Sequence, residues 1–198
     1  MINSQNYTGR ILNFLDLLKD YEVQIPIIQR DYAQGRESQK EIRHNFLNAL
    51  HSCLINSDPI KLDFIYGSII DGKFQPLDGQ QRLTTLFLLH WYASIKDGNS
   101  AGKDIRDLLT RFSYETRISS REFCKALVEE SIQEIPNNQK LSEAIIDKNW
   151  FYLSWVRDPT IEAMLRTIDA IHEIFFALEN LYEKILSSFI LLSLKTWD

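Results

Sequence analysis

One stretch restricts the fold more than any other: residues 75–89, QPLDGQQRLTTLFLL. It reads as the end of a strand, a sharp turn and the start of a helix. Asp78 suits an N-cap, and Gln81 three residues later completes an Asp-x-x-Gln capping box. Gly79 sits where the chain must turn tightly. Leu83, Leu86, Phe87, His90 and Trp91 recur at helical spacing, which predicts one buried helix face. Just upstream, Leu62, Phe64 and Tyr66 alternate, so residues 61–70 read as a strand. Asp71-Gly72 is a hairpin signal of the type I′ kind. Residues 73–77 are then the return strand, which delivers the chain directly to Asp78.

Polar residues crowd the start of that helix: Gln80, Gln81, Arg82, then Thr84 and Thr85. A helix start carries free N–H donors and about half a positive charge, so it favours anions. An arginine there adds a planar fork that suits phosphate. The same residues also fit an ordinary turn with a glutamine cap and a solvated arginine. The residues alone leave both readings open.

Upstream, Ile11, Phe14, Leu15 and Leu18 predict an amphipathic helix over residues 7–19. Residues 23–28 are short, β-branched and broken by Pro26, which fits a strand edge. Gln29, Arg30, Asp31 and Tyr32 follow where a loop would emerge. Ile42, Phe46, Leu47, Leu50 and Leu54 predict a helix over 37–56, stopped by Ser57-Asp58-Pro59.

Downstream, residues 96–103 read as a loop and 104–110 as a short helix. Residues 111–121 hold Arg111, Arg117 and Arg121 with one acid, Glu115. Such a run suits a nucleic-acid backbone, or simply a charged loop. Ser119 and Glu122 form a second capping-box pattern before a helix over 120–131. Leu141, Ile145 and Ile146 give a further helix. Trp150, Phe151, Tyr152 and Trp155 fit a core or domain contact, with base stacking as the alternative. Asp158-Pro159 is an N-cap followed by proline at the first helical position, and Ile161, Leu165, Ile168 and His172 share a face of the long helix beyond. Residues 187–194 read as a final strand.

Composition removes several function classes. The 198 residues fit one domain, or one domain with a helical extension. A net charge of −5 from 22 basic and 27 acidic residues argues against coating nucleic acid by bulk charge, while leaving room for a local basic groove. Cys53 and Cys124 lack metal-ligand spacing and fit buried thiols in a reducing cytoplasm. No stretch has the form of a signal peptide or reaches the ~18 apolar residues of a membrane helix. There is no P-loop and no Gly-x-Ser-x-Gly elbow. His44, His51, His90 and His172 are scattered, so no metal site is expected.

Two motifs carry a resemblance. Asp78-Gly79-Gln80-Gln81-Arg82-Leu83-Thr84-Thr85-Leu86 resembles the signature of the DUF262 family, the GmrSD restriction endonuclease N-terminal domain. Ile25-Pro26-Ile27-Ile28-Gln29-Arg30-Asp31-Tyr32 resembles that family's upstream Ile-Pro-x-x-Gln-Arg-x-Tyr element. Residues 150–165, with Trp155 and Asp158-Pro159-Thr160-Ile161, are similar to a subgroup, so the resemblance spans nearly the whole chain.

The resemblance implies an α+β fold: a small mixed sheet with a hairpin and a ParB/sulfiredoxin-like core over residues 1–95. A mostly helical part of the same domain follows over 96–198. It implies that the two motif loops meet, and that Gln29, Arg30, Gly79, Gln80, Gln81, Arg82 and Thr84 bind an NTP, GTP or ATP, with Gln80, Gln81 and Arg82 on its phosphates, Gln29 positioning water or the base, and Mg²⁺ as a companion ion. Asp78 and Arg30 are its candidate catalytic residues, and Arg111, Arg117 and Arg121 the candidate DNA contacts. The implied role is nucleotide hydrolysis in a cytoplasmic restriction or anti-phage defence protein acting on modified DNA. The alternative is a non-catalytic module that senses a DNA modification or regulates a partner nuclease. A nuclease half, DUF1524 or His-Asn-His-like, is expected in cis beyond residue 198 or in trans.

Overall fold

The computed structural model describes residues 7–26, 32–97, 101–115, 117–130, 132, 135–136, 139–187 and 190–197. It opens with β1 (Tyr7–Leu12), α1 (Phe14–Asp20) and β2 (Glu22–Ile25). The helix expected over 7–19 is therefore half strand. Asn13 divides the two halves: its side chain accepts the Asp16 N–H at 2.8 Å, and this N-cap starts the helix at Phe14. The residues before it pair with a strand far away in sequence, β6 (Ile190–Trp197), where Leu12 faces Leu192.

Two short 3₁₀ turns, Ala33–Gly35 and Glu37–Gln39, lead into α2 (Lys40–Asn56). Its inward face is Arg43, Leu47, Leu50, Cys53 and Leu54, whereas Ile42 of the expected stripe is exposed. The helix is rotated because Arg43 turns inward and its Nη1 donates to the carbonyls of Gln34 and Arg36, at 3.1 and 3.0 Å. Then come β3 (Ile60–Ile70) and β4 (Lys73–Asp78), an antiparallel hairpin. Asp71 and Gly72 both have positive φ, 50° and 76°, as a type I′ turn requires.

Next is α3 (Gln80–Lys96). Every residue from Leu83 to Ser94 is buried, so the single buried face expected from the sequence was too narrow. This helix runs through the centre of the protein. Phe87 stacks on Phe112 of the sheet, ring centroids 4.7 Å apart. The remaining helices are α4 (Ala101–Leu109), α5 (Ile118–Glu129), α6 (Leu141–Ile146), α7 (Pro159–Phe175) and α8 (Leu181–Leu186), with β5 (Phe112–Tyr114) between α4 and α5. Helix α3 packs against α4, α7 and α8.

The second capping box does not form. Arg117 caps α5, and the Ser119 hydroxyl instead donates to Asp158. Asp158 is the N-cap of α7 as expected, accepting the Thr160 N–H at 2.8 Å with Pro159 at the start. Phe123, Phe151 and Trp155 meet edge to face in the core, the packing reading of that aromatic stretch.

Among the described residues the sheet has six strands, in the order β1-β6-β3-β4-β2-β5. β4, β2 and β5 are mutually parallel; β3 is antiparallel to β4 and parallel to β6. The fold is thus a mixed sheet with a mostly helical second half, and the sheet takes strands from both sides of residue 95. The carboxyl ends of β4, β2 and β5 share one edge, the edge at which open sheets bind ligands. Among the described residues no helix is long and apolar enough to cross a membrane.

Candidate functional site

β4 ends at Asp78, and Gly79 turns the chain into α3 with φ 88° and ψ 3°. A Cβ on Gly79 would lie 2.6 Å from Cγ1 of Ile65, so both space and backbone conformation demand glycine. The N-cap is therefore Gly79, and the expected Asp78–Gln81 capping box is absent. Asp78 stays in the strand, opposite Tyr66, with its carboxylate unspent on the helix. The Gln81 side chain accepts the Gln34 N–H at 2.9 Å instead. Gln80 is buried and donates to the Pro76 carbonyl at 2.6 Å. Asp78, Gly79, Gln80, Gln81 and Arg82 line a hollow of about 110 Å³.

Arg82 is held from two sides. β4 stops beside Tyr66, but β3 runs back to Ile60, so among the described residues no strand pairs with the near edge of β3 there. Arg82 fills that place: its Nη2 donates to the Phe64 carbonyl at 2.9 Å. Two carboxylates flank the guanidinium, Asp63 at 3.7 Å and Asp78 at 3.6 Å. The Arg82 side chain is only 19% exposed, against 99% for Asp63. The sequence pattern did not single out Asp63. It lies where the β3–β6 register slips between Leu62 and Phe64, a bulge with no local sequence mark.

The two described ends of the first motif lie on the same side of the sheet. Because β2 runs parallel beside β4, Ile25 ends β2 at the same sheet edge at which Asp78 ends β4. Gln29, Arg30 and Asp31 lie outside the described residues. The chain returns at Tyr32, which is buried, with its hydroxyl 2.7 Å from Oγ1 of Thr85. Oγ1 of Thr85 also lies 3.2 Å from Oε1 of Gln34. Tyr32, Gln34, Gln81 and Thr85 thus join the two motifs through side chains. Thr84 points the other way: it is buried, and its hydroxyl lies 2.9 Å from that of Tyr114 rather than lining the hollow. Burial pushes the hydroxyls of Tyr32 and Tyr114 up, so both keep their protons and serve as neutral partners.

The model of the GmrSD restriction endonuclease N-terminal domain matches residues 11–195. The chain belongs to that family. No curated protein and no solved structure matches it.

In this GmrSD N-terminal domain the three candidate DNA contacts do not form one row. Arg111 precedes β5, whose Phe112 lies beside Val23. Arg117 and Arg121 follow the other end of β5, on the edge shared with Asp78 and Arg82. Arg121 donates weakly to the Glu115 carbonyl, at 3.4 Å, and lies 3.9 Å from Glu122. Asp71, at the hairpin tip, is at the opposite end of β4 from Asp78 and is removed from the site. Among the described residues no group of three His, Cys, Asp or Glu side chains stands ready for a metal. Cys53 and Cys124 are both buried free thiols.

Proposed function

We propose that this GmrSD N-terminal domain grips the phosphates of a nucleoside triphosphate, ATP or GTP, at the 78–82 turn and takes part in hydrolysing it. It would do so as the nucleotide-dependent half of a restriction protein acting on modified DNA. One observation carries this reading: a mostly buried arginine, oriented by the Phe64 carbonyl, stands over a hollow at the start of α3. Its two carboxylate neighbours sit beyond hydrogen-bond distance and in contact with water. Such loose pairs contribute little, so a triphosphate can take their place beside the guanidinium.

Each residue then has a distinct task. The first-turn amides of Gln80, Gln81 and Arg82 point toward the anion, and Gly79 lets the backbone approach it. Gln80 and Gln81 act through the scaffold, one anchoring Pro76 and the other Gln34. Thr84 acts from behind, through Tyr114. Asp78 and Asp63 are the carboxylates suited to hold Mg²⁺, which takes one or two such groups together with phosphate oxygens and would neutralise charge on them. Because Gly79 caps the helix, Asp78 is also available to orient a water. Arg30 would stabilise charge developing on the leaving phosphate and Gln29 would orient water or base, both from the loop that leaves β2.

Nucleotide turnover measured with Mg²⁺ tests the reading. The native chain should hydrolyse ATP or GTP and Arg82→Ala should not; equal background rates for both would reject it.

A second reading, in which the pocket reads a DNA modification or regulates a nuclease held in cis or in trans, draws on Arg117 and Arg121 at the same sheet edge. It requires DNA binding that weakens with salt and with loss of those two arginines. Binding indifferent to both would count against it.

A further inference from the structure

The bulge at Asp63 interrupts the alternation of β3, so the face that turns inward changes parity there. Leu62 and Ile65 go to the core, while Phe64 and Tyr66 face out, 51% and 39% exposed. Residues opposite one another in a ladder share a face. Tyr66 stands between Asp78 on β4 and Lys195 on β6, so these three form one row across the outer face of the sheet. Phe64 stands in the next row, opposite Ser193. The Lys195 ammonium lies 4.0 Å from the centre of the Phe64 ring. The backbone of Phe64 holds Arg82. Two exposed aromatic side chains thus stand on one face beside the residues of the phosphate hollow: Phe64 carries Lys195 on its ring and Arg82 on its carbonyl, and Tyr66 stands opposite Asp78.

Single exposed apolar residues need no explanation. An exposed aromatic pair beside a cation-lined hollow is a different arrangement. Its chemistry is complementary to a ligand with a flat π-system at one end and several anionic oxygens at the other. We infer that Phe64 and Tyr66 form the stacking platform for the nucleobase of the nucleotide, with Lys195 backing the Phe64 ring. This deepens the function proposed above and rests on the 78–82 turn holding the phosphates. Because stacking is offered by every base, such a platform binds ATP and GTP alike; it strengthens binding without selecting between them.

Calorimetric titration with ATP, GTP and inorganic tripolyphosphate, in Mg²⁺, separates the two ends of the ligand. The native chain should bind either nucleotide more tightly than tripolyphosphate. A Phe64→Leu/Tyr66→Leu double variant should lose about tenfold in affinity for both nucleotides. It should bind tripolyphosphate unchanged, which also shows that it folds; the Phe64 carbonyl that holds Arg82 is backbone and survives the change. Tyr66→Phe keeps the ring and should bind nucleotide as the native chain does. The platform is overturned, with the phosphate site intact, if tripolyphosphate and nucleotide bind equally well or if the double variant keeps full nucleotide affinity. It is also overturned if that variant loses only single-stranded DNA binding. Absence of binding by both tripolyphosphate and nucleotide would remove the phosphate site and the platform together.

Discussion

The Tyr32 hydroxyl lies 2.7 Å from Oγ1 of Thr85, with both residues fully enclosed. The first belongs to the loop that follows β2, the second to the helix that follows β4. Their contact, 53 positions apart in the chain, fixes the returning end of one motif against the other.

Removing that contact gives the first test. Tyr32→Phe removes the buried hydroxyl that bonds the side chains of Thr85 and Thr167 and leaves the ring in place, at a cost of at least about 1 kcal/mol. For a chain of this size the melting midpoint should fall by about 2–4 °C. Circular dichroism during heating measures it, and an unchanged midpoint would mean that the bond contributes nothing.

Two glycines with left-handed backbones should respond differently to alanine. At Gly72, φ is 76° but an added Cβ meets no atom within 4 Å, so Gly72→Ala carries only the backbone penalty, about 1–2 kcal/mol. At Gly79 the same penalty is joined by the collision with Ile65. Urea denaturation should therefore place Gly79→Ala well below Gly72→Ala in stability. Equal midpoints would contradict the crowding at the turn.

Stability should fall on the acid side of neutrality because of His90. Burial pushes its pKa from 6.5 down to about 4, and its Nδ1 lies 2.7 Å from the Leu86 carbonyl. Below about pH 6.5 the unfolded chain takes up a proton that the folded one refuses until about pH 4. The contribution is thus complete above pH 6.5 and is lost progressively down to pH 4, by about 3 kcal/mol in all. His51 and His172 are lowered by burial too and act in the same direction. Urea midpoints at pH 7 and pH 5 should differ less for His90→Gln than for the native chain.

Asp63 offers a test of charge balance at the hollow. In Asp63→Asn one of the two carboxylates beside Arg82 becomes neutral. Without Mg²⁺, tripolyphosphate should then bind about two- to fivefold more tightly, the worth of an exposed ion pair. With Mg²⁺ the gain in affinity that the ion confers on the native chain should shrink. Weaker binding in the absence of the ion would show that Asp63 does not compete for Arg82.

Local signals were readable where the chain decides its own conformation. Asp71-Gly72 turned the hairpin, and Asp158-Pro159 started α7, because turn and cap chemistry involve only neighbouring residues. The signals failed where distant pairing decides. Residues 7–12 have apolar positions compatible with a helix, yet β6 claims them as a strand. Asp78 has the chemistry of a cap, yet Gly79 tolerates the left-handed turn and takes the role. At the site, the Asp78–Arg82 turn was legible as a motif. Asp63 and the aromatic pair were not, because their place depends on the register of β3 against β4 and β6.

The strand β6 lies between β1 and β3, and neither of those pairs with the other. During synthesis, β1 therefore waits without a partner until Ile190–Trp197 have left the ribosome. Meanwhile the hairpin and the α3 corner can already assemble from neighbouring sequence. The nascent chain thus carries two open strand edges until β6 emerges, which makes a holding chaperone valuable and places the closing of the sheet after every other strand of this domain is in hand.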